Sequence, residues 1–243
     1  KYYILDKPPG LTSKDFVDSI KQKENLKKVC YCGRLDPMAR GQMIILGDEK
    51  CKLMNSINQK EKTYQFEICF GIQTDSDDPL GLIIKTNTNF NLSQVSNKLI
   101  NTLNKYNNLK FNQKFHRFSS ININGKPYWL LTKENSKIDK IPSHEVTVYN
   151  IDIMSCIQRD FNDFVNINIS NIDKINRRHQ FRQDEIINSW KEAIDNFNKN
   201  IYSIKVEIHV TSGFYVRQFI QDLSEEIDFP FMVYDINRTK IST

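Results

Sequence analysis

The chain has no apolar run near the roughly 20 residues that a membrane-spanning helix requires, and its start, Lys1 to Gly10, lacks the basic-then-apolar order of a signal peptide. It is therefore expected to be soluble and cytoplasmic, without a membrane partner. It opens on Lys1 and not on Met, so an organelle or viral-factory address would have to lie in a trimmed upstream segment. Metal-ligand spacing is missing too. Cys30, Cys32, Cys51, Cys69 and Cys156 are odd in number and form no C-x-x-C pair, which reads as reduced thiols. His116, His144, His179 and His209 never fall beside a cysteine pair at ligand spacing, so no metal is expected. There is no Walker loop, no dinucleotide fingerprint, no G-x-S-x-G and no zinc-deaminase signature, and several large enzyme classes drop out with them.

What is present is ample for a folded core. In 243 residues the hydrophobic fraction is 39%, and 15 Phe with 10 Tyr argue against disorder. Thirty-four Lys and Arg against 29 Asp and Glu leave a net charge of +5, which suits an anionic partner without demanding one.

Tyr2 to Leu5 reads as a strand, stopped by Pro8, Pro9 and Gly10. Thr12 or Ser13 can cap a helix carrying Phe16, Val17 and Ile20, which runs into a basic stretch, Lys21 to Lys28. Cys32 to Gly41 packs two glycines, a proline and two arginines around Asp36, the pattern of a structured loop. Met43 to Gly47 reads as a buried strand, and Asp48 as the cap of a helix through Met54 and Ile57. Lys62 to Gly71 alternates as a strand with Tyr64, Phe66, Ile68 and Phe70 on its apolar face. A polar loop covers Thr74 to Gly81, and Ser93 opens a helix with Val95, Leu99 and Leu103.

Strands are expected around Phe118 to Tyr128, His144 to Ile153, Phe164 to Ile169 and Ser203 to Val210. Asp173 to Asn200 has the pattern of an amphipathic helix inserted between strands. A Gly-aromatic strand or turn at Ser212 to Val216, a helix near Arg217 to Ile227 and a strand at Met232 to Ile241 close the chain. This order without repeats suggests one sheet-based α/β (mixed α+β) domain, residues 1–243, with helical cover.

Asp36 lies between Arg34 and Arg40 in a glycine-bounded loop, where a side chain can be presented to a cleft. Asp before Pro is also common in turns, so spacing alone leaves catalytic and turn-capping roles open. No second acid lies beside it to make a glycosidase pair; any chemistry would use a lone carboxylate with cationic support. Tyr215-Val216-Arg217 offers a ring to stack on a base and a guanidinium to grip a carboxylate or phosphate. A core tyrosine and a surface arginine would fit equally, and Tyr64 carries the same ambiguity. The basic clusters, Arg177, Arg178 and Arg182 among them, are solvated faces in most proteins.

Four motifs then occur in one order: Asp6 to Ser13 (DKPPGLTS), Gly33 to Gly41 (GRLDPMARG), Lys62-Thr63-Tyr64, and Gly213 to Arg217 (GFYVR). Together they resemble the TruB family of pseudouridine synthases across residues 1 to about 241. Gly71 to Asp77 is similar to that family's G-x-x-T-D-T-x-D segment, and Phe118 to Lys126 to its F-S-A-x-K-x-x-G-x stretch. The resemblance implies a pseudouridine synthase catalytic fold, with a central mixed, mainly antiparallel sheet flanked by helices and loops. It implies isomerisation of a uridine in the T-arm of tRNA (position 55) without cofactor or metal; a monomer is expected.

By the same resemblance Asp36 is the catalytic aspartate, Tyr64 stacks on the flipped uracil, Tyr215 acts near the ribose as a base, and Arg217 holds the Asp36 carboxylate ionised. Ile236 lies against the base, and Lys7 with Pro8 buttresses the catalytic loop. Residues 112–145 correspond to a mobile RNA-clamping loop. Physics supports the set: a uridine must leave its stack at a cost of a few kcal/mol, which aromatic stacking at about 1–3 kcal/mol per base offsets.

Three departures stand out. Tyr31 occupies the place of a histidine common in relatives and could stack on RNA instead. Arg34 and Arg40 are bulkier and more basic than the small residues usual there, and are candidate RNA contacts. With Thr243 as the last residue given, no C-terminal RNA-binding (PUA) domain is expected. A basic insertion, about 156–200, is the candidate replacement, with Arg177, Arg178 and Arg182 as phosphate contacts. A species-specific solvated elaboration is the alternative. Two other readings use the same scaffold: an RNA-binding or RNA-folding protein with weak or lost catalysis, and an rRNA-directed synthase.

Overall fold

The computed structural model describes residues 1–242; Thr243 lies outside the described residues. In chain order the strand β1 (Tyr2–Lys7) leads to α1 (Ser13–Lys23), β2 (Val29–Cys32), β3 (Arg40–Gly47), α2 (Met54–Asn58) and β4 (Lys62–Phe70). Then come β5 (Ile72–Thr74), β6 (Ile83–Thr86), α3 (Leu92–Lys105), β7 (Leu109–Lys114), β8 (Asn122–Ile123), β9 (Lys126–Pro127) and α4 (Tyr128–Lys133). The long β10 (Ser143–Asp160) is followed by α5 (Phe161–Lys174), α6 (Gln183–Asn196), β11 (Asn200–Val210), α7 (Val216–Ile227) and β12 (Phe231–Ile241).

Eight strands form one sheet in the order β1-β3-β12-β4-β11-β10-β7, with β2 also paired to β3. Every pairing in it is antiparallel except β12 with β3, where Asn237 and Arg238 sit opposite Arg40 and Gly41. That short parallel contact joins the strand after the Asp36 loop to the last strand of the fold. Gly41 makes it possible: its φ is +107°, and a Cβ there would lie 2.4 Å from the Arg238 carbonyl oxygen.

Helices cover both faces. On one, Phe66, Ile68 and Phe70 of β4 join Val206 and Ile208 of β11 and pack against Leu99 and Leu103 of α3 and Phe219, Ile220 and Leu223 of α7. On the other, Cys69 and Met232 meet Phe164 and Ile172 of α5 and Ile186 and Trp190 of α6. The end of β4 is therefore buried on both sides, as an uninterrupted apolar run in a central strand requires.

Several sequence expectations need correction. Phe164 to Ile169, expected as a strand, lies inside α5. Asp160 caps that helix through the Asn162 and Asp163 amides, and its buried positions, Phe161, Phe164, Val165, Asn168 and Ile172, have helical spacing that outweighs the local alternation. Phe118 to Tyr128 yields only the two-residue strands β8 and β9 around Asn124-Gly125, both at positive φ, before α4 begins. Asp48 does not cap a helix: its Oδ1 accepts the Lys27 and Lys28 amides, and a 3₁₀ turn precedes the short α2. The helix expected to open at Ser93 starts one residue earlier, at Leu92, with Asn91 as its cap. Strand β2 has no counterpart among the expected elements. The insertion is a helical hairpin, α5 and α6, in place of one helix.

Candidate active site

The loop 33–39 between β2 and β3 carries Asp36 and is pinned from several sides. Ser13, at the start of α1, both donates its hydroxyl to the Leu35 carbonyl (2.7 Å) and accepts the Leu35 amide (2.9 Å). Buried Lys7 donates to the carbonyls of Pro8 (2.8 Å), Leu11 (2.7 Å) and Pro37 (3.4 Å). Burial pushes its pKa down to about 7, with the Asp36 carboxylate acting the other way. Buried Arg238 donates to Gln42 O (2.7 Å) and Gly33 O (2.9 Å), which closes the loop's far end.

Arg217, in the first turn of α7, meets Asp36 across the sheet. Its Nε is 2.8 Å from Oδ2 and its Nη2 2.7 Å from Oδ1, a bidentate fork with the guanidinium almost buried. Nη1 donates to Ser76 O (3.4 Å), and Asp78 Oδ2 lies 3.9 Å from Nε. Burial alone would lower the arginine's pKa, but the Asp36 and Asp78 carboxylates outweigh it and raise it. Asp36 itself keeps 32% of its side-chain surface exposed, so one cation holds it while it still faces the cleft.

Under this pair lies a buried polar layer, built from the segment whose composition reads only as a polar loop. Asp78 accepts Ser76 Oγ (2.8 Å) and the Leu80 amide (2.9 Å). Asp77 accepts His116 Nε2–H (3.1 Å), while His116 Nδ1 accepts the Phe118 amide (3.2 Å), which fixes the neutral tautomer. Burial, with the Arg217 charge adding to it, lowers the His116 pKa well below its usual range. Burial pushes both Asp77 and Asp78 from the ordinary 3.8 up to about 6. In the sequence this layer shows as the density of Asp75, Asp77 and Asp78 in four residues and as the likeness of Gly71 to Asp77 to the family segment.

These raised values have a testable sign. Between pH 3.8 and about 6 the folded chain keeps protons on Asp77 and Asp78 that the unfolded chain releases, so their contribution to stability falls as pH rises. Urea unfolding across this range should show a flatter stability profile for the Asp77→Asn/Asp78→Asn double variant than for the unsubstituted chain.

The cleft above Asp36 has a volume of about 1230 Å³. Tyr31, Arg34, Asp36, Tyr64, Tyr215, Arg217, Ile236 and Arg182 all line it. Arg34 Nη1 hydrogen-bonds Ser120 Oγ, which ties the Asp36 loop to the segment 115–142. Burial, then the Asp36 charge, raises the Tyr215 pKa, so its phenol is neutral near pH 7. Trp129 and Phe181 add aromatic surface to the lining.

Four of the candidate residues lie elsewhere. Lys7 and Arg40 border a separate cavity of about 430 Å³, where Arg40 is held bidentately by Asp235 at 2.5 and 2.8 Å. Arg177 pairs with Asp184 (2.5 Å) and Asp173 (3.3 Å), and Arg178 with Asp15. Arg182 reaches the cleft but is paired with Asp75 (2.8 Å). Among the described residues no group of three or more His, Cys, Asp or Glu could hold a metal ion, and no helix is long and apolar enough to cross a membrane.

Residues 21–172 match the profile described as "TruB family pseudouridylate synthase (N terminal domain)". The chain belongs to this family. It is 35% identical over 169 residues to tRNA pseudouridine synthase B of Mycoplasma mycoides subsp. mycoides, covering 69% of this chain and 56% of that protein. Against tRNA pseudouridine synthase B of Mycoplasmoides gallisepticum it is 26% identical over 242 residues, 99% of this chain and 90% of that one. The chain thus spans little more than half the length of the first of these relatives. Among solved structures, it superposes on a chain of a Cbf5-Nop10-Gar1 complex with a TM-score of 0.58 at 15% identity, over 99% of this chain and 48% of that one. An H/ACA RNP bound to a substrate RNA containing 2'-deoxyuridine gives 0.55 at 15% identity, over 99% and 47%. These likenesses establish the fold: a mixed α/β arrangement around a central, mainly antiparallel sheet.

Proposed function

We propose that the protein isomerises a uridine of tRNA, in the T-arm, to pseudouridine. The observation that carries this reading is the Arg217 fork on a partly exposed Asp36 at the floor of an aromatic-lined cleft. A flipped uridine entering there would set its ring against Tyr64 and Ile236 and its ribose near Asp36 and Tyr215. Asp36 would form an adduct with the ribose or start cleavage of the N1–C1′ bond; the uracil rotates, C5–C1′ forms, C5 loses its proton and N1 gains one. The change is an isomerisation, so atoms balance without an oxidant or water. The neutral Tyr215 hydroxyl is suited to relay a proton beside the ribose, and the names borne by the relatives support tRNA as the substrate.

The test is incubation with an unmodified tRNA transcript, followed by pseudouridine mapping through chemical modification and primer extension. One new site in the T-arm is the expected result; tight binding with no new site would favour an RNA-binding protein on the same scaffold.

Of the insertion arginines, only Arg182 reaches the cleft, and all three are already engaged by carboxylates. If they serve as phosphate contacts, reversing all three charges flattens the salt dependence of RNA binding, by about 0.7 in slope for each phosphate no longer neutralised. An unchanged slope removes the insertion from the RNA interface.

A further inference from the structure

The turn 211–215 carries Tyr215 and launches α7, so its placement sets where Tyr215 and Arg217 point. Two side chains outside the cleft hold it. Gln113 of β7, fully buried, accepts the Tyr215 amide on Oε1 (2.9 Å) and donates Nε2–H to the Tyr215 carbonyl (3.1 Å). That carbonyl also takes the Phe219 amide (3.0 Å), the first bond of α7. His144 of β10 donates Nε2–H to the Gly213 carbonyl (2.8 Å). Its ring stacks on Phe115 at 4.4 Å and meets Tyr215 edge-on at 5.9 Å. Gly213, at φ +85°, leaves room for that ring; a Cβ there would sit 3.2 Å from His144 Nε2.

Gln113 and His144 are direct register partners across β7 and β10. These two strands are the stems of the segment 115–142, whose Arg117, Phe118, Trp129 and Lys133 line the cleft. One cross-strand pair therefore grips the Tyr215 turn with three hydrogen bonds while closing the base of the cleft-lining segment.

We propose that Gln113 and His144 are positioning residues for the reaction, holding Tyr215, and through α7 Arg217, in register with the Asp36 loop. The proposal rests on the synthase reading for its link to turnover. A shift of about 1 Å in a catalytic constellation can cost on the order of 10²-fold in rate, and Gln113 bonds the turn only through its backbone, so its loss should act on kcat and not on RNA affinity.

The experiment compares Gln113→Leu, His144→Phe and His144→Gln with the unsubstituted protein. It measures kcat and KM on the tRNA transcript, the Kd for that RNA, and hydrogen exchange of the segment 211–217 without RNA. Gln113→Leu should lower kcat by about 10²-fold, keep Kd within about twofold, and speed exchange of the segment. His144→Phe keeps the ring stack but loses the donor and should act in the same direction; His144→Gln restores a donor and should recover much of the rate. Unchanged exchange in Gln113→Leu and His144→Phe overturns the proposal whatever the activity. So does faster exchange with unchanged kcat, or parallel loss of kcat and affinity with no rescue by His144→Gln. If the unsubstituted protein proves inactive on the transcript, the synthase reading falls; the grip on the turn is then decided by exchange alone, faster exchange upholding it.

Discussion

Asp36→Asn should abolish turnover, by on the order of 10⁴-fold or more, the scale on which loss of a nucleophile acts, while RNA binding survives. The substitution is close to isosteric. The new side-chain amide can still accept one hydrogen bond from Arg217, and Asp78, 3.9 Å from the Arg217 Nε, remains as a counter-charge. Ser13 and Lys7 hold the loop through its backbone carbonyls and amides, which the change does not touch. The measurement is pseudouridine formation beside an RNA-binding isotherm for the same preparation. Binding lost to the same degree as turnover would make Asp36 a structural residue.

Substitution of Arg217 should lower stability as well as rate. Its guanidinium is nearly buried and faces two carboxylates, Asp36 on the fork and Asp78 behind it. Arg217→Met would leave both without their cation, and breaking a buried pair in this way costs about 3–5 kcal/mol. Arg217→Lys keeps a charge but cannot reproduce two parallel N–H···O bonds, so turnover should fail there even where the fold survives. Urea denaturation separates the two variants, with Arg217→Met unfolding at clearly lower denaturant. Adding Asp78→Asn to Arg217→Met removes one of the stranded charges and should return part of the loss; no recovery would mean that Asp78 does not share the cation.

The parts of the site that are legible in the sequence are those where residue type alone restricts the options. Asp36 amid glycines, proline and arginines reads as a structured loop, and it is the family resemblance, carried by the motif order, that pairs it with Arg217 at the start of a helix. A cap of α1 at Thr12 or Ser13, of which the structure uses Thr12, and the alternation of β4 are legible for the same local reason. The strand expected at Phe164 to Ile169 fails because a short alternating run, Val165 to Ile169, sits inside a longer helical pattern whose burial depends on Trp190 and the far face of the sheet. Arg40, Arg177 and Arg178 group with RNA contacts on charge alone. What decides their setting is a carboxylate that composition does not assign to them: Asp235 for Arg40 and Asp15 for Arg178, both far away in sequence, and Asp173 with Asp184 for Arg177. The Asp77–His116 pair spans 39 residues and the Gln113–Tyr215 grip 102, so neither has a local signature.

The closing strand β12 gives the site a place in time as well as in space. Arg238 secures Gly33 across 205 residues, and Arg217 reaches Asp36 across 181. The Asp36 loop therefore has neither its cation nor its outer clamp until α7 and β12, which follow it in the chain, are in place, with β12 laid between β3 and β4. A nascent chain ending before α7 could expose basic surface to RNA, yet it would have no assembled reaction centre. Assembly of the site should be limited by these long-range closures rather than by the helices that form on the way.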